Sequence, residues 1–237
     1  EDLMLFEIGP IFKGSRPGEQ STIIGALKTG KYSRKNWIEK ERNFDFYDIK
    51  NDVLRILNEV GINSEKIIAS KKTKKWYHPG RSGLLSLGSS SGPELAYFGE
   101  IHPFIIKKLD LRTDNILGFE IILDNIPDSR KKIRESKPNF TISDYQKVVR
   151  DFAFVIDEKY SSGEIVNLVK KIDKELIKDV RIFDVYQGDN IESGKKFIAF
   201  NVTLEPKNKT LNDNEIEGIS KKIISIVEKT TGASLRS

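Results

Sequence analysis

Two helix-start signatures, set between runs of alternating apolar residues, constrain the second half of this 237-residue chain more than any other feature. In Ser161-Ser162-Gly163-Glu164 and in Asn212-Asp213-Asn214-Glu215 a small polar residue is followed three places later by glutamate. At that spacing the first side chain can accept the glutamate's N–H while the carboxylate reaches back, so each marks the start of a helix. After the first, Ile165, Leu168, Val169 and Ile172 recur at helical spacing; after the second, Ile216, Ile219, Ile223, Ile226 and Val227 do so until Gly232 stops the run. Strand patterns occupy the gaps at 148–157, 180–188, 196–204 and 233–236. The order β-α-β-β-α-β over 143–237 is that of a ferredoxin-like unit.

Both helices of such a unit cover one sheet face. Alternation sends Phe152, Phe154, Phe183, Val185, Ile198, Phe200, Val202 and Leu204 to that face. It leaves Asp151, Ala153, Ile182, Asp184, Tyr186, Phe197, Ala199 and Asn201 on the open one. An acceptor and a flat ring two residues apart, Asp184 and Tyr186, are what a platform for a nucleotide base needs. The same pattern also suits an edge-strand tyrosine beside a solvated aspartate. Lys195-Lys196-Phe197-Ile198-Ala199-Phe200 faintly echoes the third strand of an RNA-recognition motif, but Phe197 and Phe200 are three apart and face opposite ways.

In the first half, Leu3–Phe12 and Ser21–Leu27 read as the arms of an antiparallel hairpin, with Gly9-Pro10 bending or ending the first arm. Phe46, Ile49, Val53, Ile56, Leu57 and Val60 form an amphipathic helical stripe, with Asp45 as N-cap and Gly61 just past the end. Short strands at Leu84–Leu87, Ala96–Gly99 and Leu117–Leu123 fit an antiparallel sheet. Two loops, 77–82 and 99–103, carry His78 and His102, each before a proline, with Glu100 nearby. Nothing has the spacing of a helical His-Glu-x-x-His site, and histidine before proline in a turn suits a hydrogen-bond anchor. A stand-alone enzyme would need His78, His102 and Glu100 to converge. Neither a phosphate-binding Gly-rich loop nor a nucleophile elbow occurs, so no catalytic or metal residue is assigned.

The absence of cysteine excludes disulfides, thiolate metal sites and a thiol nucleophile. No apolar run approaches the roughly 18 residues of a membrane span, so no membrane partner is expected and a cytoplasmic location is the default. The net charge is +5, yet residues 143–237 hold 16 basic and 16 acidic side chains. The excess lies earlier, in Lys71, Lys72, Lys74 and Lys75 and in Arg130, Lys131, Lys132 and Arg134, as phosphate contacts or as solvated loops. A polar, basic, proline-bracketed stretch marks 131–142 as a linker between 1–130 and 143–237. With Glu1 leading straight into an apolar strand, the chain is expected to be the C-terminal part of a longer polypeptide.

Several short runs, in this order, resemble the C-terminal part of the bacterial phenylalanine–tRNA ligase beta subunit family. They include Phe6-Glu7-Ile8-Gly9-Pro10-Ile11-Phe12, Asp45-Phe46-Tyr47-Asp48-Ile49-Lys50, His78-Pro79-Gly80-Arg81-Ser82 and Phe98-Gly99-Glu100-Ile101-His102-Pro103. Arg150-Asp151-Phe152-Ala153-Phe154, Phe183-Asp184-Val185-Tyr186-Gln187-Gly188 and Gly232-Ala233-x-Leu235-Arg236 continue the likeness. It implies an α+β chain: a partial, inactive class II synthetase-like antiparallel sheet domain, then a ferredoxin-fold anticodon-binding domain. It implies tRNA-Phe and the ligase alpha subunit as partners in an alpha2-beta2 heterotetramer, with ATP and Mg2+ used by the holoenzyme and no cofactor held here. By the resemblance, Tyr186 stacks on an anticodon base with Asp184 beside it. Arg150, Lys195 and Lys196 are expected to meet backbone phosphates, or Arg150 to pair with Asp151 or Asp184 and hold the sheet. Phe197 stands where the family often has serine, removing a hydroxyl and offering a ring. A rival reading makes both modules an assembly scaffold without RNA contact.

Overall fold

Alternating apolar residues pair into two main antiparallel sheets, one in each half of the chain. The computed structural model describes residues 2–113, 115–127, 143, 145–188 and 191–236, in two compact units, Glu1–Glu135 and Ser136–Ser237. The linker expected at 131–142 and the basic cluster Arg130, Lys131, Lys132 and Arg134 lie outside the described residues.

In the first unit β1 (Leu3–Phe12) and β2 (Gln20–Thr29) form the hairpin, and a ribbon of β3 (Lys31–Ser33) and β4 (Arg42–Asn43) leads into α1 (Phe46–Glu59). Then come β5 (Ile67–Ser70), β6 (Tyr77–Leu87), β7 (Glu94–Ile101), the short α2 (Pro103–Lys108) and β8 (Ile116–Ile122). The sheet runs β1-β2-β8-β7-β6-β5, each neighbouring pair antiparallel. Asp45 caps α1: its Oδ1 accepts the N–H groups of Tyr47 at 2.7 Å and Asp48 at 3.1 Å. Asp48 Oδ2 in turn accepts the Asp45 N–H at 2.9 Å. The stripe Ile49, Val53 and Leu57 is buried against β7 and β8, with Leu95, Phe98, Leu117 and Ile121.

Two local expectations give way. Gly9-Pro10 neither bends nor ends β1, which pairs with β2 along its whole length. Pro10 is tolerated because β1 is an edge strand: Thr22, opposite it, sends its N–H to Asp124 Oδ2 at 3.1 Å, so this pair exchanges no ladder bond and the Pro10 nitrogen needs no acceptor. Residues 77–82 are not a loop but the start of β6, where a register shift between Tyr77 and Ser82 absorbs the Pro-Gly pair.

The second unit comprises β9 (Val148–Asp157), α3 (Ser162–Lys170), β10 (Ile177–Tyr186), β11 (Lys195–Leu204), α4 (Asp213–Thr231) and β12 (Ser234–Leu235). The order β10-β11-β9-β12 puts the first and third strands in the middle, as the ferredoxin-like connection requires. Both capping boxes form, on Ser161 with Glu164 and on Asn212 with Glu215, and Gly232 ends α4 at φ 68°. The core joins Ile165 and Val169 of α3 and Ile219, Ile223 and Val227 of α4 to Phe152, Phe154, Ile156, Ile198, Phe200 and Val202. Phe200 stacks between Phe152 and Phe154, with ring centroids 5.7 and 5.8 Å away. The chain is thus α+β: an antiparallel sheet domain with a helix on one face, then a βαββαβ unit.

Candidate nucleic-acid interface

One irregularity in β10 sets which side chains reach the open face. Val180 pairs with Val202 and Ile182 with Phe200, both core positions of β11. The register then shifts, so that Asp184 meets Ala199, Val185 meets Ile198 and Tyr186 meets Phe197. Phe183 is the extra residue of this bulge. Expected on the covered face, it is instead 56% exposed, and Ile182, expected on the open face, packs against the core. Simple alternation holds on either side of a bulge but fails across it. Val185 shares the core side with Ile198 but is exposed near the end of the edge strand.

After the shift, Asp184, Tyr186 and Phe197 share one face. Tyr186 and Phe197 are direct cross-strand partners, a pairing that sets Cβ atoms about 5 Å apart. Tyr186 is 45% exposed and Asp184 is exposed. The tyrosine ring lies back over Gly188, where an added Cβ would run into Tyr186 Oη. Arg236, just beyond β12, donates its backbone N–H to Ala153 O at 2.8 Å and lays its guanidinium 5.4 Å from the Phe197 ring centroid. The face therefore offers a tyrosine ring, a phenylalanine ring carrying an arginine, and a carboxylate acceptor.

The other residues assigned from sequence fall differently. Lys196 lies opposite Ile156 on the side of Ile198 and Phe200, only 8% exposed, away from the face that Tyr186 shares with Phe197. Lys195 is exposed and pairs with Glu192 at 2.6 Å. Arg150 is exposed at the start of β9 and, among the described residues, makes no ion pair with Asp151 or Asp184. Sequence reasoning missed Arg236 and the outward turn of Phe183. The adjacent apolar pair Ile182-Phe183 interrupts a period-two pattern, the available signal for a bulge.

In the first unit each histidine anchors backbone: His78 Nδ1 accepts the Gly80 N–H at 3.0 Å and His102 Nδ1 the Phe104 N–H at 3.2 Å. Glu100 pairs with Arg81 at 2.5 Å. These contacts commit all three to local structure instead of a shared pocket. Among the described residues no three His, Cys, Asp or Glu side chains gather as metal ligands. Nor is any helix among them long and apolar enough to cross a membrane.

Comparison with known proteins gives these two units a lineage. Residues 143–236 match the ferredoxin-fold anticodon binding domain, and residues 1–123 match the phenylalanyl tRNA synthetase beta chain CLM domain. The chain belongs to the phenylalanyl tRNA synthetase beta chain family. The phenylalanine–tRNA ligase beta subunit of Rhodospirillum rubrum is 43% identical over 236 residues, an alignment covering 100% of this chain and 29% of that protein. Its counterpart in Paramagnetospirillum magneticum is 39% identical with the same coverage, and that in Bradyrhizobium diazoefficiens 38% identical over 99% of this chain and 29% of its own length. The chain thus spans about 29% of the length of these relatives. A solved pyrrolysyl tRNA synthetase from Desulfitobacterium hafniense overlaps 53% of this chain and 41% of its own at 15% identity and a TM-score of 0.35, too slight to bear on the fold. Within the beta chain family, the open face just described belongs to the domain named for anticodon binding.

Proposed function

We propose that this chain serves, as part of a phenylalanine–tRNA ligase beta subunit, in the ATP-dependent joining of phenylalanine to tRNA-Phe in the cytoplasm. Its ferredoxin-like unit grips the anticodon stem-loop; residues 1–130, joined through 131–142, support assembly with the alpha subunit in an alpha2-beta2 tetramer. The observation that carries the RNA reading is the trio of exposed Asp184, exposed Tyr186 and half-buried Phe197 on one face of a match to an anticodon-binding domain. Tyr186 stacks on a base, contributing about 1–3 kcal/mol. Asp184 accepts from a base edge, and the Phe197 ring extends the stacking surface in place of a hydroxyl contact. Lys195 faces Glu192 and contributes only in exchange for that pair; Lys196, on the other side of the sheet, has no phosphate role in this reading. ATP and magnesium act elsewhere in the enzyme, and no step of the chemistry is routed through these residues.

Fluorescence anisotropy of a labelled tRNA-Phe anticodon stem-loop at fixed salt tests this reading. Tyr186→Ala is expected to weaken binding about tenfold or more. Equal binding by both chains would leave Tyr186 a structural residue and move recognition elsewhere. The scaffold reading draws support from the apolar edge strand β1, whose Leu5, Phe6, Ile8 and Phe12 are exposed. It requires anticodon binding to be absent while assembly is retained.

A further inference from the structure

The bulge in β10 leaves a ring outside the core beside two arginines. Phe183, Asp151, Ala153, Arg150 and Arg236 line a cleft of about 330 Å³. On one side β12 pairs only with Phe154 and Val155 of β9, so Arg150 to Phe152 have no neighbouring strand there. Among the described residues neither Arg150 nor Arg236 forms an ion pair, and the Arg236 guanidinium lies over the Phe197 ring. That ring is the cross-strand partner of Tyr186, so cleft and platform adjoin. The volume lies at the low end of the roughly 300–1,000 Å³ of small-molecule pockets, suited to one nucleotide's base rather than a helix of RNA.

We propose that this cleft receives the nucleotide next to the one stacked on Tyr186, with its base against Phe183 and its flanking phosphate held by Arg150 and Arg236. The inference rests on the RNA-binding reading above and adds to it a second base subsite. A guanidinium fork matches phosphate oxygens with two parallel N–H bonds, which a lone lysine cannot do. A phenylalanine face stacks any base, so the ring contributes affinity without choosing a sequence. Asp151 adds a polar contact. Its carboxylate accepts only, so it takes an amino or ring N–H donor of the base edge, and it turns the phosphate toward the arginines.

The test uses the chain with the labelled anticodon stem-loop and a set of stem-loops each lacking one loop base. Phe183→Ala is expected to weaken binding about tenfold, and to do so less than twofold on the RNA missing one particular base. That position should be the immediate neighbour of the one whose removal silences Tyr186→Ala. Arg236→Gln should reduce the slope of log K against log salt by about 0.7, the value for one phosphate contact on a single strand, while Phe183→Ala leaves the slope unchanged. Thermal unfolding of each variant is read alongside, and both side chains being exposed, midpoints matching the unaltered chain are expected. If Tyr186→Ala weakens binding but Phe183→Ala and Arg236→Gln bind like the unaltered chain, the cleft proposal is overturned and the RNA reading stands. If the unaltered chain does not bind, the RNA reading falls and the proposal with it; if it binds and Tyr186→Ala changes nothing, recognition lies away from Tyr186 and the cleft proposal is overturned.

Discussion

Gly188 shows how much of the interface rests on a missing atom. Its backbone is not in the left-handed region, so alanine there is conformationally acceptable, yet a Cβ would occupy the place of the Tyr186 hydroxyl and Cζ. Gly188→Ala is therefore expected to leave the thermal midpoint nearly unchanged while swinging the Tyr186 ring off its resting place. Stem-loop affinity should fall by a few-fold, less than for Tyr186→Ala. A loss of stability with intact affinity would mean the glycine serves the turn and not the ring. At this scale the sequence was legible where alternation runs unbroken: Asp184, Tyr186 and Phe197 follow the register of β11. Phe183 and Ile182 were not, because a bulge depends on the pairing of two strands and leaves only a faint mark on either one. Lys196 is a different case. The spacing with Ile198 and Phe200 already put it on the covered side, and its charge prompted the opposite expectation.

Among the elements, helices with side-chain caps were the most readable, because a cap is a contact within three or four residues. The short α2 and β5 were not, since six and four residues give too little periodicity. The α1 cap carries a titratable prediction. Arg42 holds both oxygens of Asp48, Nη1 to Oδ2 at 2.6 Å and Nη2 to Oδ1 at 2.9 Å. This pair, with the Asp45 N–H, keeps the Asp48 carboxyl below the usual carboxylate range. A lowered folded-state value means that ionised Asp48 stabilises the fold above the unfolded value, about 3.9, and that the contribution fades as pH falls through the folded value. Asp48→Asn keeps an acceptor for the Asp45 N–H but removes the charge. Its thermal midpoint is expected below that of the unaltered chain at pH 7, the two converging as pH drops below about 4. A gap of constant size down to acid pH would show that the loss comes from packing or cap geometry and not from ionisation.

The whole molecule is dominated by a feature that composition conceals. An apolar content of 38% is ordinary, but seven large apolar side chains are exposed on one strand. β1 is an edge strand of ten residues in which Leu3, Met4, Leu5, Phe6, Ile8, Ile11 and Phe12 are exposed and Glu7 is the sole charge. Both of its faces open onto clefts: one of about 360 Å³ reaching Arg55 and Ile56 of α1, the other about 380 Å³, bounded by Leu27 and Glu120. A long apolar edge with free backbone donors and acceptors pairs with whatever strand or apolar surface it meets. The chain by itself is therefore expected to self-associate at micromolar concentrations, seen as a rising light-scattering mass, and Phe6→Lys with Phe12→Lys should return it to a monomer with an unchanged circular dichroism spectrum. On the function proposed above, the same pair of substitutions should weaken association with a ligase alpha subunit and leave stem-loop binding by the ferredoxin-like unit as it was. That separation is expected because the lysines lie on one compact unit and Tyr186 on the other. If instead the doubly substituted chain still associates, β1 is not the surface that drives it; if stem-loop binding falls along with assembly, the two tasks are not divided between the units, and recognition of the RNA depends on the subunit partner as well.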